Sequence, residues 1–586
     1  MGIFEVLSLI CGLALFLYGM DVMGDALKKS AGNSLKTFLG KMTSNPVKGF
    51  LLGLVVTAII QSSSATTVMV VGFVNAGTMT LLQSVGVIMG ANVGTAVTAW
   101  ITGLSGIEAA DDALEIIKWL KPDAWMPILA LIGIALIMFV KRGRKRDIGV
   151  ILIGFSVLMV GMSMMSDAVG GLKEDAGFKS ILTMFENPIL GVLAGLLLTA
   201  IVQSSSASVG ILQSLTTTGA ITYGAAIPIV MGQNIGTCVT ALLSAISANK
   251  NGKRAAIIHL YFNIIGVVFW LSSFYILDAI FSFSFVGQYI DMWGVALVHT
   301  IFKILSVILM APFYKWLEKL ACLTIKDGKK DEESASNKLD ERLLATPSVA
   351  VACANDVTKT MAKISTDALL MSIELMENYD SKIADKIRSL EGEADVLEDS
   401  LGSYLVKISA QDLDVASSKE VTKLLHIIGD FERISDHAVN VVESAEEIKD
   451  KKIEFSQEAK REISVMRDAV KEILTLTSAA FCDSDLALAA DVEPLEEVVD
   501  DIKDAIKRNH VLRVQKNECT IEHGFVLSDI LTNFERVSDH CSNIAGCIIE
   551  VSKFDTLEMH KYMSVVKTSG QNFEDKYKAY STKYKI

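Results

Sequence analysis

The sequence predicts an all-α protein in two parts: a polytopic membrane domain built from two inverted repeats with re-entrant hairpins and broken helices, then a helical-bundle domain outside the bilayer. Three observations carry this. A block of roughly 85 residues recurs without a gap at a constant offset. Two stretches without any charged side chain, Gly49 to Ile107 and Asn187 to Asn249, are each far longer than one membrane-crossing helix, which takes roughly 20 residues. Finally, residues 1–320 hold 20 Lys and Arg against 16 Asp and Glu, a net +4, whereas residues 321–586 hold 34 against 51, a net −17. That contrast separates a membrane part from an acidic soluble part.

The offset is 142. It pairs Gly12 with Gly154, Gly19 with Gly161, Asp25 with Asp167 and Asn45-Pro46 with Asn187-Pro188. QSSSATT (Gln61 to Thr67) returns as QSSSASV (Gln203 to Val209), and GANVGTAVTA (Gly90 to Ala99) as GQNIGTCVTA (Gly232 to Ala241). The period is too long for a solenoid and each copy is mostly apolar, which points to the repeat-built folds of membrane transporters.

In chain order, the first span is expected over Phe4 to Met23. Without a basic n-region, and matching residues inside the second copy, this segment is not read as a cleaved signal peptide. A hairpin over Pro46 to Asn75 with QSSS at its tip follows, then spans near Thr80 to Trp100, Ala124 to Val140 and Ile148 to Met165. The second hairpin covers Pro188 to Thr217, followed by spans near Thr222 to Ile246, Ala255 to Ile280 and Trp293 to Leu317. The domain limits so drawn are 1–145 for repeat one, 146–250 for repeat two, 251–322 for further transmembrane helices, 323–345 for the linker and 346–586 for the helical domain; the charged, small-residue run Lys326 to Arg342 lies in the linker.

Basic clusters set the orientation. Lys28, Lys29, Lys36, Lys41 and Lys48, then Lys141 to Arg146, then Lys250, Lys253 and Arg254 all fall on the cytoplasmic side if the N-terminus is external. The acidic loop Glu108 to Glu115 is then outside and the C-terminal domain inside. Three full spans separate equivalent points of the copies, so copy two runs upside down and the two QSSS tips meet near the midplane.

Irregular backbone at membrane depth is tolerated only where it is buried in protein or lines a polar cavity. Half-helix N-termini offer free N–H groups to an anion, while hydroxyls, carbonyls and amide oxygens suit a hard cation. Gln61, Ser62, Ser63, Ser64, Thr66, Asn92 and Thr95 form one half of the expected site; Gln203, Ser204, Ser205, Ser206, Ser208, Asn234 and Thr237 form the other. Ser62, Ser63, Ser64, Ser204, Ser205 and Ser206 with Asn92 and Asn234 are assigned to an anion, and Gln61, Thr66, Thr95, Gln203, Ser208 and Thr237 to sodium. Neither charge-free stretch has a Lys or Arg, so the anion meets neutral donors and co-bound cations offset its charge. Small polar residues also glue transmembrane helices together, but two copies, each followed by Asn-x-Gly-Thr at matching distance, favour a site. No GxxxxGK[ST] loop is present, which argues against an ATP-driven pump.

Paired QSSS motifs in inverted repeats, each with its GxNxGT, resemble the type II sodium-phosphate cotransporter family from about Gly12 to Leu317. The resemblance implies inorganic phosphate as substrate and sodium as co-substrate, held by the QSSS segments. His259-x-x-Phe262-Asn263 and His299-x-x-Phe302-Lys303 are similar to that family's paired His-x-x-Phe-Asn elements, with Lys303 departing from the Asn. A satisfied packing histidine is the plainer reading of each, ahead of a proton relay.

The soluble half holds a second duplication. FERISDHAVN (Phe431 to Asn440) recurs as FERVSDHCSN (Phe534 to Asn543), and apolar residues every three or four positions predict two three-helix bundles. Four acid pairs at i, i+4 share helix faces: Glu391 and Asp395, Glu432 and Asp436, Glu496 and Asp500, Glu535 and Asp539. They are read either as ligands of a divalent or iron-type metal or as solvated acids partnered by Arg433 and Arg536. The motifs resemble PhoU, a helical regulator of phosphate uptake whose ExxxD faces bind metal clusters, over about Ser348 to Val565.

There is no CxxC pair among the eight cysteines and no nucleophile–base constellation, so neither a disulfide framework nor an enzyme is expected. The polyanionic C-terminal half argues against nucleic acid. The expected function is sodium-coupled symport of inorganic phosphate across a bacterial inner membrane, with a cytoplasmic PhoU-like domain that binds a regulatory protein or a second copy of the chain. A membrane-anchored phosphate sensor without net transport and a phosphate exporter are the rival readings.

Overall fold

The computed structural model describes residues 3–40, 46–106, 122–141, 143–170, 172, 180, 182–326, 338–411, 413–516, 518–553 and 571–586. Those residues are almost all helical, and they divide into two compact units: Met1–Glu332 with Asp340–Val349, and Glu333–Leu339 with Ala350–Ile586. The acidic loop at Glu108 to Glu115 lies outside the described residues.

The first unit opens with α1 (Ile3–Gly40), α2 (Pro46–Ile60), α3 (Ser63–Asn75), α4 (Leu81–Gly94) and α5 (Ala96–Gly103). After α6 (Pro122–Phe139) the order repeats as α7 (Arg144–Gly170), α8 (Pro188–Val202), α9 (Ser205–Thr216), α10 (Tyr223–Gly236) and α11 (Cys238–Ser244). Then come α12 (Lys250–Phe281), α13 (Met292–Met310) and α14 (Tyr314–Thr324). Among the described residues six stretches are long and apolar enough to cross a membrane: Ile3–Ser30, Leu81–Gly106, Arg144–Gly170, Tyr223–Ser244, Lys250–Phe281 and Met292–Thr324. The span expected at Ala124 to Val140 is a shorter apolar helix, and α2, α3, α8 and α9, at 12 to 15 residues, are each too short to cross alone. Large apolar side chains such as Val268, Phe269, Ile276 and Phe281 on α12 face outward, as a lipid-facing surface requires.

The duplication is legible in the packing. α1 lies antiparallel to α7, its equivalent, with Gly12 against Gly161 and Met165, and Gly19 against Gly154 and Leu158. The contact is reciprocal: each glycine meets the partner of the other, as in a two-fold interface. A Cβ on Gly19 would fall 2.3 Å from the Leu158 nitrogen, so the helices approach this closely only with glycine there. The same holds between α2 and α4, and α8 and α10, where a Cβ on Gly90 or Gly232 would lie 1.9 or 2.0 Å from the carbonyl oxygen of Phe50 or Val192.

Caps place the breaks. Thr80 and Gln83 form a capping box ahead of α4, and Asn187 caps α8 with Pro188 beside it. Asn249 caps α12 and is itself held by Asn75, whose side-chain and backbone oxygens accept from its backbone and side-chain nitrogens at 2.6 and 2.7 Å. Asn75 also donates to Asp340 at 2.8 Å; Arg342 pairs with Asp340 and donates to the Ser244 carbonyl at 2.9 Å. The start of the connection to the second unit is thereby fastened to the ends of α3 and α11.

The second unit consists of α15 (Pro347–Leu375), α16 (Ser381–Ser409), α17 (Val415–Lys451), α18 (Gln457–Asp483), α19 (Leu486–Gln515) and α20 (Ile521–Lys553), matching the expected three plus three, and a further α21 (Gln571–Lys583). α17 packs on α20 across the duplication. There His540 Nδ1 meets Asp430 Oδ1 at 2.8 Å and His437 Nδ1 meets Asn533 Oδ1 at 2.9 Å, so the equivalent histidines each reach the other copy. Leucine, isoleucine, valine and phenylalanine at helical spacing, Leu424, Ile427, Phe431, Ile434 and Ala438 on α17 for example, are fully buried.

Candidate functional site

Each QSSS motif breaks a helix in the same way. Gln61 and Gln203 end α2 and α8 with φ of 58° and 57°, a left-handed backbone that non-glycine residues rarely adopt and that here turns the chain sharply. The next residues, Ser62 and Ser204, are extended and cap α3 and α9, accepting from the Ala65 and Ala207 amides at 3.2 Å. First-turn amides of both short helices are therefore presented at the break, with the positive ends of their dipoles.

Both breaks open on one cavity of about 450 Å³ lined by Gln61, Ser62, Ser63, Ser64, Gln203, Ser204, Ser205 and Ser206. The two motifs, 142 residues apart, thus face a common space of a size for a small oxyanion and its cations. The cavity is less neutral than the sequence implied. Leu17, Tyr18, Met20, Asp21, Gly24 and Lys28 of α1 complete its wall, bringing a carboxylate and an ammonium. Lys28 is already engaged, pairing with Asp25 at 2.7 Å.

The remaining expected residues are not part of that lining. Asn92 and Asn234 are buried and donate to carbonyls one turn back, Ile88 at 3.2 Å and Val230 at 2.8 Å. Thr95 and Thr237 sit at the junctions of α4 with α5 and α10 with α11, bonded at 3.0 Å to Ala91 and Gln233 carbonyls. Each span read as continuous from the sequence, Thr80 to Trp100 and Thr222 to Ile246, thus carries a helix junction at its Asn-x-Gly-Thr. Thr66 donates to the Ser62 carbonyl and accepts from Thr57, each at 3.0 Å, while its equivalent Ser208 has no partner for its buried hydroxyl. Gln61 accepts from Thr98 at 2.9 Å. His259 and His299 are buried, but His259 Nδ1 and both ring nitrogens of His299 lack partners, so neither is the satisfied packing histidine expected.

In the second unit the acid pairs gather by copy. Glu391 is raised by burial and by Asp436 and Asp395 nearby, and Glu432 is pushed up to about 7 by burial and Asp436. In copy two, burial followed by Glu493 and Asp500 pushes Glu496 up to about 8, and Asp539 is raised by burial, Glu535 and Asp500. Lys503 enters this second face, 3.2 Å from Asp500 and 2.9 Å from Glu535. No ion pair from Arg433 or Arg536 to these acids is found among the described residues. Glu493, Glu496 and Glu497 form the one group among those residues whose carboxylates lie within 4.8 Å of one another.

Helices long and apolar enough to span a membrane and two broken-helix tips on one polar cavity are the features of a membrane transporter, here joined to a helical domain with acidic faces. Known proteins agree. The Na+/Pi-cotransporter model matches twice, over residues 15–167 and 157–293, and the PhoU domain model matches twice, over 358–445 and 463–548. The chain belongs to the Na+/Pi-cotransporter family and carries a C-terminal PhoU domain. YjbB of Salmonella typhimurium, whose name proposes inorganic phosphate export, is 24% identical over 93% of this chain and 97% of its own length. YqeW of Bacillus subtilis is 32% identical over 43% of this chain and 77% of its own. Sodium-dependent phosphate transport protein 2B of Homo sapiens is 31% identical over 38% of this chain and 31% of its own. Among solved structures, PhoU from Pseudomonas aeruginosa covers 36% of this chain and 97% of its own at 19% identity and a TM-score of 0.30.

Proposed function

We propose that this chain moves inorganic phosphate across the bacterial inner membrane together with sodium, and that the PhoU domain, on the cytoplasmic side, regulates that movement. The observation that carries the reading is the cavity shared by the two QSSS breaks. Phosphate would be held by Ser62, Ser63 and Ser64 with Ser204, Ser205 and Ser206, whose hydroxyls and first-turn amides donate without a full positive charge. Sodium would take amide and hydroxyl oxygens of Gln61, Gln203, Ser208 and Thr237 with the Asp21 carboxylate, offsetting the anion. Asn92, Asn234, Thr66 and Thr95, set back from the cavity, would fix the helix breaks. The reciprocal glycine contacts of α1 with α7 support an inverted relation of the copies, in which the site opens alternately to each side.

Sodium-dependent uptake of radiolabelled phosphate into proteoliposomes tests this, with the gradient imposed in either direction. Flux that ignores sodium sinks the symport reading, and phosphate binding without flux favours a sensor. The full-length relationship to YjbB supports export as a second reading; the sign of the gradients that drive flux in cells separates the two. Single cysteines at Gly143 and Ala110 should label from the cytoplasm and from outside respectively. In the PhoU domain, Glu391, Asp395, Glu432 and Asp436 would offer a face to a divalent or iron-type metal, and Glu496, Asp500, Glu535 and Asp539 one on which Lys503 already supplies a cation.

A further inference from the structure

The membrane unit buries a cation that the symport reading does not use. Lys303, in the middle of α13, is 2% exposed and makes no hydrogen bond or ion pair among the described residues. α13 packs on α4, α5, α9, α10 and α12, the helices that carry or adjoin the site motifs. Of these, α4, α5 and α9 have no ionisable side chain, and Tyr223 of α10 lies at the far end, by Gly294. The ionisable groups that feel Lys303 are Cys238, His259 and His299, with no carboxylate among them. Cys238 follows Thr237 directly, at the end of copy two's Asn-x-Gly-Thr, and its sulfur receives the Asn263 amide at 3.3 Å.

An ammonium inside a membrane protein without an acid beside it is costly, and such residues mark ion pathways. An anion arriving nearby offsets that cost, and the ammonium in turn favours the anion. Close to Lys303's neighbour Cys238, Gln233 Oε1 and Asn234 Oδ1 are buried oxygens without partners, the kind that otherwise accept a hard cation. In the parallel element the same place holds neutral Asn263, whose Nδ2 donates to the Cys238 sulfur and the His259 carbonyl.

We propose that the Lys303 ammonium is a built-in counter-charge for the anion in the copy-two half of the site, standing in for one co-transported sodium ion. This rests on the transport reading above. The chain then needs one sodium fewer per phosphate than a site whose positive charge comes wholly from solution.

The test is phosphate flux against sodium concentration in proteoliposomes holding the full chain, with charge per phosphate read from the transport current. Lys303→Asn and Lys303→Met should raise the half-saturating sodium concentration about tenfold, steepen the sodium dependence by one ion and move one more positive charge per phosphate. Lys303→Arg should stay within about twofold of wild type in sodium requirement and keep its charge ratio. Neutral variants with wild-type sodium curves and charge ratios overturn the proposal. So does a result in which only the Arg variant reconstitutes, since the charge then serves folding. Absence of flux in the wild type would sink the transport reading itself, and this proposal with it.

Discussion

The two copies of the membrane repeat share a sequence but not a hydrogen-bond economy. In copy one, Thr57 donates to Thr66 at 3.0 Å, Thr98 to Gln61 at 2.9 Å, and Ala91 brings no polar group. In copy two the equivalents Thr199 and Ser208 have no partner for their buried hydroxyls, and Gln233, in place of Ala91, donates to the Ser208 carbonyl while its own oxygen is left over. One half satisfies itself; the other holds oxygens in reserve. Leaving a buried oxygen unmade costs about 1–3 kcal/mol, which a bound cation would offset. Under the transport reading proposed above, the unpartnered oxygens of copy two would give a sodium ion more than the self-bonded groups of copy one.

The largest expected effect is common to both halves. Ser63→Ala and Ser205→Ala should each weaken phosphate affinity by about 1–3 kcal/mol, measured as KM for phosphate at saturating sodium. A loss confined to one of them would mean that the tips do not share the anion. Next, Gln233→Leu and Ser208→Ala should raise the sodium needed for half-maximal flux about tenfold with little change in KM for phosphate. Thr57→Val in copy one should instead lower thermal stability by about 1 kcal/mol and leave the sodium curve alone. If Thr57→Val shifts sodium as much as Ser208→Ala does, the asymmetry is structural only.

The acid faces of the PhoU domain repeat the lesson on a smaller scale. Copy two receives Lys503 on its face, yet each copy keeps a raised carboxyl, Glu432 pushed up to about 7 and Glu496 to about 8. A carboxyl raised in the fold keeps its proton where the unfolded chain has lost it. Stability of this unit should therefore fall as pH rises from the ordinary carboxylate range through about 7 for Glu432 and about 8 for Glu496. Unfolding midpoints across that window, with and without manganese, should show the fall and its reversal by the metal. Glu432→Gln should reduce the slope below about 7 while leaving the part due to Glu496, and an unchanged slope there would remove Glu432 as a cause.

The breaks at Gln61 and Gln203 were readable because a duplicated motif of hydroxyls in apolar surroundings has few other uses. Asp21 and Lys28 were hidden by the same reasoning. Their equivalents are Ser163 and Gly170, so an argument from repetition passes over them, and only folding brings α1 to the cavity. Lys503 had a signal that went unused: it stands three residues after Asp500, on the same helix face, whereas Arg433 and Arg536 each point a step away from their acids. The helix at Gln571–Lys583 did carry a signal, Phe573, Tyr577, Tyr580 and Tyr584 at helical spacing, but it lies past Val565, where the PhoU resemblance ends. The unpartnered hydroxyls of Thr199 and Ser208 could not be foreseen, because their counterparts at Thr57 and Thr66 are chemically almost the same.

The fastening of Asp340 and Arg342 to Asn75 and Ser244 acts as a mechanical anchor. Asn75 ends a 13-residue rod whose other end is the Ser63 tip, and Ser244 ends a shorter one that starts at Cys238, beside Thr237. At about 1.5 Å per residue, the first rod is about 20 Å long. A tug on the chain just beyond residue 346 would reach the handles of two levers whose working ends are the motifs of the two copies, one from each. Cutting the anchor with Arg342→Ala and Asp340→Asn would leave the levers in place with nothing to pull them.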